Sequence, residues 1–385
     1  MTVAGDIRVL NVSGIPFERG RIQGEALRDL IQIGMEGWRE SIQRTTGMYP
    51  DDYLDRFVQS TNFMPAIERW APALLQEMNG IGQGANVPFS HIYAYQLVDE
   101  EWLFRAHHRR SKDPAAGEHC SALGVCDQGQ ALPILAQNMD VPSCYDGTQV
   151  LLRIQQPDSD LESLVFTAAG LMATTGLNNR GVGICCNTLA DLAHSTEGLP
   201  VAFIVRNVLE RSSRSSAVDF VRSIRHASGQ NYTIGSPDGI VDLECSAHAV
   251  AQFRPGESRV FHTNHAIVNA DRTAVDEGQP QLPSFRVEAP AAGETVSEDA
   301  PFVTNSELRF NAIEKVLAAT STPVTVDFVK SVLRTTDVPI SVARDSGRGV
   351  LTLGSLIMEL SVPPVLHLAP GPPAGTEYET HTFGA

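Results

Sequence analysis

The first hundred residues repeat apolar and polar positions with a helical period after one short strand-like run. IRVLNV (7–12) reads as a strand, whereas GRIQGEALRDLIQIGMEGWRESIQR (20–44) places Ile22, Leu27, Leu30, Ile31, Ile33 and Trp38 near helical spacing. Similar patterns predict helix from Tyr53 to Leu75 and from Phe89 to Phe104, and the polar SKDPAAGEH (111–119) reads as an exposed linker. From Cys120 the texture changes to short β-rich runs between turn residues: CSALGV, ALPILAQN, QVLLRI and SLVFTAA. LMATTGLNNRGVGICCNTL predicts a hairpin turning at Asn178 to Gly181, YTIGSPDGIVDLECS another turning at Pro237-Asp238-Gly239, and AVAQFRPGESRVFHTN continues the meander.

Between the hairpins, residues 200–227 carry the apolar spacing of one or two helices able to cover a sheet face. Residues 269–303 lack periodicity and predict an irregular surface excursion. Helices are predicted again at Asn305 to Ala319 and Val324 to Leu333, then two terminal strands in GVLTLGSLIMEL and PVLHLAP, then a Gly/Pro-rich tail from Gly371. Hairpins outnumber strand-helix-strand alternation after Cys120, so the class is α+β with a mainly antiparallel sheet core.

Composition narrows the function. The chain has 385 residues and a net charge of -16, which repels a phosphate backbone or an anionic membrane surface, so neither nucleic acid nor membrane is an expected partner. No run is long enough to cross a bilayer, and MTVAGDIRVLNVSGIPFERG lacks the basic start and apolar run of a signal peptide. Six cysteines are too few for a disulfide framework. A soluble cytoplasmic protein is expected.

Four places can carry chemistry. Cys120 opens a strand straight after a polar linker, and a catalytic thiol and a small core residue are equal readings of it. Asp140 lies 20 residues later, at the end of ALPILAQNMD, where a hairpin can return its carboxylate to the start of the first strand; alone it reads as an exposed loop aspartate. HTNH (262–265) supplies His262, His265 and Asn264, whose amide can donate to an oxyanion. The histidines have no CxxC or HExxH partner, so no metal and no cofactor is expected. Arg348, in DSGRGVL, can clamp a carboxylate through its fork of donors, or simply be a solvated loop arginine.

CSALGV, ALPILAQNMD, TGLNNRGVGICCNTL, VFHTNH and GRGVLTL, in that order, resemble the acyl-coenzyme A:6-aminopenicillanic acid acyltransferase family, peptidase family C45. The resemblance implies an N-terminal nucleophile hydrolase with a four-layer αββα sandwich. Its precursor cuts itself before a cysteine, here at His119-Cys120, leaving a mainly helical fragment 1–119 and a sheet-bearing fragment 120–385 that together form one domain. It also implies catalytic roles for Cys120, Asp140, Asn264 and Arg348. Gly347 stands where the penicillin-biosynthetic member has a serine, and His119 stands where it has a glycine. Asn187 is a candidate for the acyl pocket and equally a structural strand residue.

The function so implied is hydrolysis of a small N-acyl amide through an acyl-enzyme on Cys120. Acyl transfer to an amine, from acyl-coenzyme A or an amide donor, is the alternative, although no basic or Gly-rich segment advertises a phosphate site. The expected assembly is the self-cleaved αβ heterodimer, alone or as the unit of a larger oligomer. Two rivals remain. Cys120 precedes His262 by 142 residues, a spacing close to that of papain-like proteases, and the sandwich could be an inactive scaffold.

Overall fold

The computed structural model describes residues 7–108, 120–127, 129, 132–157, 159–273, 304–321, 323–347 and 349–384. The N-terminal region holds strand β1 (Arg8–Ser13) and helices α1 (Pro16–Ala26), α2 (Arg28–Thr46), α3 (Pro50–Gln59), α4 (Met64–Trp70), α5 (Pro72–Ala85), α6 (Phe89–Tyr95) and α7 (Val98–His108). Sequence periodicity reads Tyr53 to Leu75 and Phe89 to Phe104 as continuous helices, and the structure divides both. Pro72 starts a new helix because its ring fixes a helical φ and it has no N–H to give to the turn before it. The α6–α7 break at Gln96 and Leu97 turns a buried Gln96 side chain onto the Gly170 carbonyl, 2.8 Å away.

After Cys120 come β2 (Ser121–Val125), β3 (Ile134–Pro142), β4 (Gln149–Gln155), β5 (Glu162–Ala168), β6 (Thr175–Asn178) and β7 (Gly183–Thr188), then helices α8 (Val201–Leu209) and α9 (Arg214–Ser223). The meander continues through β8 (Gln230–Ser236), β9 (Gly239–Cys245), β10 (Val250–Phe253) and β11 (Arg259–His262). Helices α10 (Asn305–Ala319) and α11 (Val326–Leu333) precede β12 (Val350–Glu359), β13 (Val365–Ala369) and β14 (Glu379–Thr382). The expected hairpins β6–β7 and β8–β9 both form. The tail after Gly371 contributes β14, which its Gly/Pro content conceals. Most of the expected irregular excursion, residues 274–303, and all of the linker 111–119 lie outside the described residues.

Among the described residues the strands form two sheets, ordered β1-β4-β5-β6-β7-β8-β9-β10 and β11-β2-β3-β12-β13-β14. Pairing is antiparallel except for β1, which lies parallel to β4 with Arg8 opposite Val150. The sheets pack face to face. A Cβ on Gly354 of β12 would come within 2.3 Å of the Phe166 ring of β5, so glycine is what lets the ring fit there. On the outer face of the six-stranded sheet, Leu123, Ala136 and Ile357 pack against Ile313, Leu317, Val329 and Leu333 of α10 and α11. Helices α8 and α9 cover the other sheet, completing four αββα layers. Helices α1 and α5 join α8 through Glu77, whose buried carboxylate takes Arg19 at 2.8 Å and Arg206 at 2.7 Å.

Candidate active site

Three strands of the six-stranded sheet bring Cys120, Asp140 and Asn264 to one end. Strand β2 pairs antiparallel with β3, Ser121 opposite Asn138, so Cys120 at its start meets the far end of β3. The Cys120 thiol donates to the Asp140 main-chain carbonyl at 3.6 Å. Strand β11 flanks β2 on the other side, with His262 opposite Ala122, and this pairing carries Asn264 to the same end of the sheet. The hairpin thus returns Asp140 to the start of β2, and the bond made there is to its main-chain carbonyl.

Asp140 is buried, 4% exposed. Burial pushes its carboxyl up to about 7, while the Thr352 hydroxyl opposite it on β12 and the Arg309 charge pull the other way. Among the described residues neither carboxylate oxygen has a hydrogen bond of ordinary geometry. The carboxyl can thus take a charged donor at little structural cost.

Arg309 is the residue that sequence reasoning missed. It is fully buried on α10 and donates to the Cys120 carbonyl at 2.6 Å, the Ser121 hydroxyl at 2.9 Å, the Asn264 side-chain oxygen at 3.0 Å and the Asn305 side-chain oxygen at 2.7 Å. A signal for it does exist. Asn305, Arg309, Ile313 and Leu317 recur every four residues and form the buried stripe of α10, and an arginine at a core position needs partners to offset its desolvation. Arg348 and His119 lie outside the described residues.

Asn264 is oriented from both ends. Its Nδ2 donates to the Thr188 carbonyl at 3.1 Å, its Oδ1 accepts from Arg309, and its main-chain N–H donates to the Ser306 hydroxyl at 2.7 Å. His262 works behind it: Nδ1 bonds the Thr263 carbonyl and Nε2 bonds Glu244, both at 2.9 Å. With both nitrogens so occupied and the ring fully buried, His262 has no free nitrogen to serve as base to Cys120, which removes the basis of the papain-like reading. The same Glu244 accepts from the N–H groups of Ile267, Val268 and Asn269, tying down the turn beyond Asn264.

Cys120 and Asp140 open onto a cavity of about 60 Å³ whose walls are mostly apolar and include Val98, Trp102, Tyr145 and Leu171. Strand β7 contributes Cys186 and Thr188, while Asn187 between them faces the opposite side. Asn187 is fully buried, and among the described residues its amide atoms make no hydrogen bond. Among the described residues there is no cluster of three or more His, Cys, Asp or Glu arranged to hold a metal ion, and no helix long and apolar enough to cross a membrane.

The model of one family, acyl-coenzyme A:6-aminopenicillanic acid acyl-transferase, matches residues 126–356, more than half of the chain. The chain belongs to this acyl-transferase family. Solved structures similar to the chain at low identity include three hydrolases. A conjugated bile acid hydrolase from Clostridium perfringens is 12% identical over 69% of this chain and 97% of its own, with a TM-score of 0.44. An N-acylethanolamine-hydrolyzing acid amidase ortholog from Caenorhabditis elegans is 14% identical over 63% and 94%, with a TM-score of 0.43. A penicillin V acylase from Agrobacterium tumefaciens is 12% identical over 65% and 82%, with a TM-score of 0.36. No curated protein sequence matches the chain. As an acyl-transferase family member the chain is homologous to enzymes, and the matched span contains Asp140, Asn264 and Arg309 while Cys120 lies six residues before it.

Proposed function

We propose that the chain severs itself at His119-Cys120 and then hydrolyses a small N-acyl amide through an acyl-enzyme on Cys120. The observation that carries this reading is the convergence of the Cys120 thiol, the buried Asp140 carboxyl, Arg309 and Asn264 beside one apolar cavity. Cleavage is attack of the Cys120 thiol on the His119 carbonyl carbon. The peptide C–N bond breaks, the nitrogen takes a proton and becomes the Cys120 amine, and water then hydrolyses the thioester.

An α-amine titrates near 7.7 to 8.0, so the new amine can take the thiol proton and later pass it to a leaving amine. Asp140 is suited to hold its ammonium form, since a positive charge nearby lowers a carboxyl that burial has raised. A new chain terminus would otherwise fray. Arg309, bonded to the Cys120 carbonyl and the Ser121 hydroxyl, fixes residue 120 whether or not its N-terminal bond is intact.

In turnover the thiolate attacks the substrate carbonyl, Asn264 donates to the oxyanion, the amine departs, and water releases the acid. An amine as second acceptor makes the same acyl-enzyme a transferase, the reading the family description favours. The apolar cavity suits a compact acyl group in either case. After cleavage the fragments would stay joined as a heterodimer, because β1 is a strand of the sheet that β4 begins and Arg206 pairs with Glu77.

A denaturing gel with N-terminal sequencing tests this. Wild type should give two bands, the larger beginning at Cys120, and Cys120→Ala should remain one. A single band from protein that turns over amides would overturn it.

A further inference from the structure

Asp99 is a second carboxylate in the same cavity. It lines the wall with Cys120, Asp140 and Thr188, and it counts as half-buried because it faces that space. The Thr188 hydroxyl donates to it at 2.9 Å, and among the described residues this is its hydrogen bond. A carboxylate has about four acceptor sites, so capacity remains on the cavity side. The Thr188 carbonyl meanwhile takes the Asn264 amide, which sets Asp99 one residue away from the proposed oxyanion donor.

The neighbouring Glu100 belongs to the scaffold. Its Oε1 accepts from the Val201 N–H at 3.1 Å and the Ser228 hydroxyl at 3.0 Å, at the start of α8. Burial raises both carboxyls, and Glu100 is raised further by the Asp99 charge, so Asp99 is the member of the pair that ionises first. A carboxylate facing an apolar enclosure is poorly solvated, and the group that best offsets this is a cation with hydrogen-bond donors. Asp140, the other carboxyl in the wall, is assigned to the Cys120 amine in the reading above, which leaves Asp99 for the substrate.

We infer that Asp99 is a specificity residue, and that the preferred substrate is an amide carrying an ammonium group next to a compact apolar body. The inference rests on the amidase reading and names its substrate class. Because Asp99 is on α7, this selection would come from the fragment that precedes Cys120, while the chemistry comes from the one that begins there.

Matched amides test it: ω-aminobutanoyl anilide against pentanoyl anilide puts the ammonium in the acyl half. The pentanoyl amide of ethylenediamine against that of propylamine puts it in the amine half. Wild type should favour the ammonium member of at least one pair by about tenfold or more in kcat/KM, the scale of one charge-assisted hydrogen bond. Asp99→Asn, which still accepts from Thr188, should bring that ratio to within about twofold of one. Thr188→Val loosens the same contact but keeps the charge, and should retain the preference. Neutral amides favoured in both pairs, or a preference surviving Asp99→Asn, would overturn the inference.

A second measurement does not need turnover. Propylammonium should slow iodoacetamide alkylation of Cys120, followed by peptide mass spectrometry, more than propanol at equal concentration, and should lose that advantage in Asp99→Asn. Equal protection by the two overturns the inference even if amides are hydrolysed. Selective protection without hydrolysis of any amide upholds the cation site and sinks the amidase reading instead.

Discussion

The Arg309 guanidinium donates to the main-chain carbonyl of Cys120 at 2.6 Å and, through its other arm, to the Asn264 side chain at 3.0 Å. One side chain from α10 therefore sets the spacing between nucleophile and oxyanion donor. A lysine has a single ammonium and cannot span both. Arg309→Lys should lower kcat by about two decades, the scale of losing an oxyanion donor, with KM changing much less. A mutant that loses KM and keeps kcat would show that Arg309 only shapes the cavity.

The Glu244–His262 pair behind Asn264 predicts a pH window for stability. Burial opposes the charge on His262, but the Glu244 bond and the Asp242 charge outweigh it and raise its pKa. Burial likewise opposes the charge on Glu244, but His262 and the N–H groups of Asn269 and Ile267 outweigh it and lower its pKa. The histidine contribution is complete below its unfolded value of about 6.5 and disappears as pH rises through the raised folded value. The glutamate contribution is complete above about 4.3 and disappears as pH falls through the lowered one. Urea titrations should show Glu244→Gln losing about 3 to 5 kcal/mol inside that window, with the deficit shrinking above it.

Asp140 predicts the opposite sign. Its folded value of about 7 exceeds the unfolded value of about 3.9, so the uncleaved chain loses stability as pH rises between them. Compared in the Cys120→Ala chain, adding Asp140→Asn should remove this loss, a gain of at most about 4 kcal/mol between pH 4 and pH 8. Equal pH dependence in the two proteins would mean that the carboxyl is solvated or already paired.

Glu77 holds Arg19 and Arg206 with all three side chains buried. Glu77→Ala leaves two uncompensated cations between α1, α5 and α8 and should cost about 3 to 5 kcal/mol, read as a lower urea midpoint. If the chain is cut at Cys120, the same variant should release the two fragments at lower urea than wild type.

Local rules made much of this legible. The switch from helical to hairpin texture at Cys120, the turns at Asn178 to Gly181 and at Pro237-Asp238-Gly239, and the helix from Asn305 all rest on periodicity and turn chemistry, which act over a few residues. The 20-residue hairpin return of Asp140 to Cys120 was readable for the same reason. Arg309 was not, because a helix 189 residues from Cys120 reaches it only when α10 packs on the outer face of the sheet containing β2 and β11. Asp99 escaped notice because an acidic residue in the first turn of a helix is ordinary in sequence; only its position on the wall beside Cys120 makes it unusual.

The sequence by itself determined most of the element types, the β2–β3, β6–β7 and β8–β9 hairpins, and the family to which the chain belongs. Tertiary structure decided the parallel seat of β1 against β4, the four-way grip of Arg309, the retirement of His262 onto Glu244, and the facing of Asp99 into the cavity. The division follows the range of the forces. Backbone preferences and hydrophobic period are written into neighbouring residues. The partners of a buried charge are chosen by whichever distant elements burial of apolar surface brings against it.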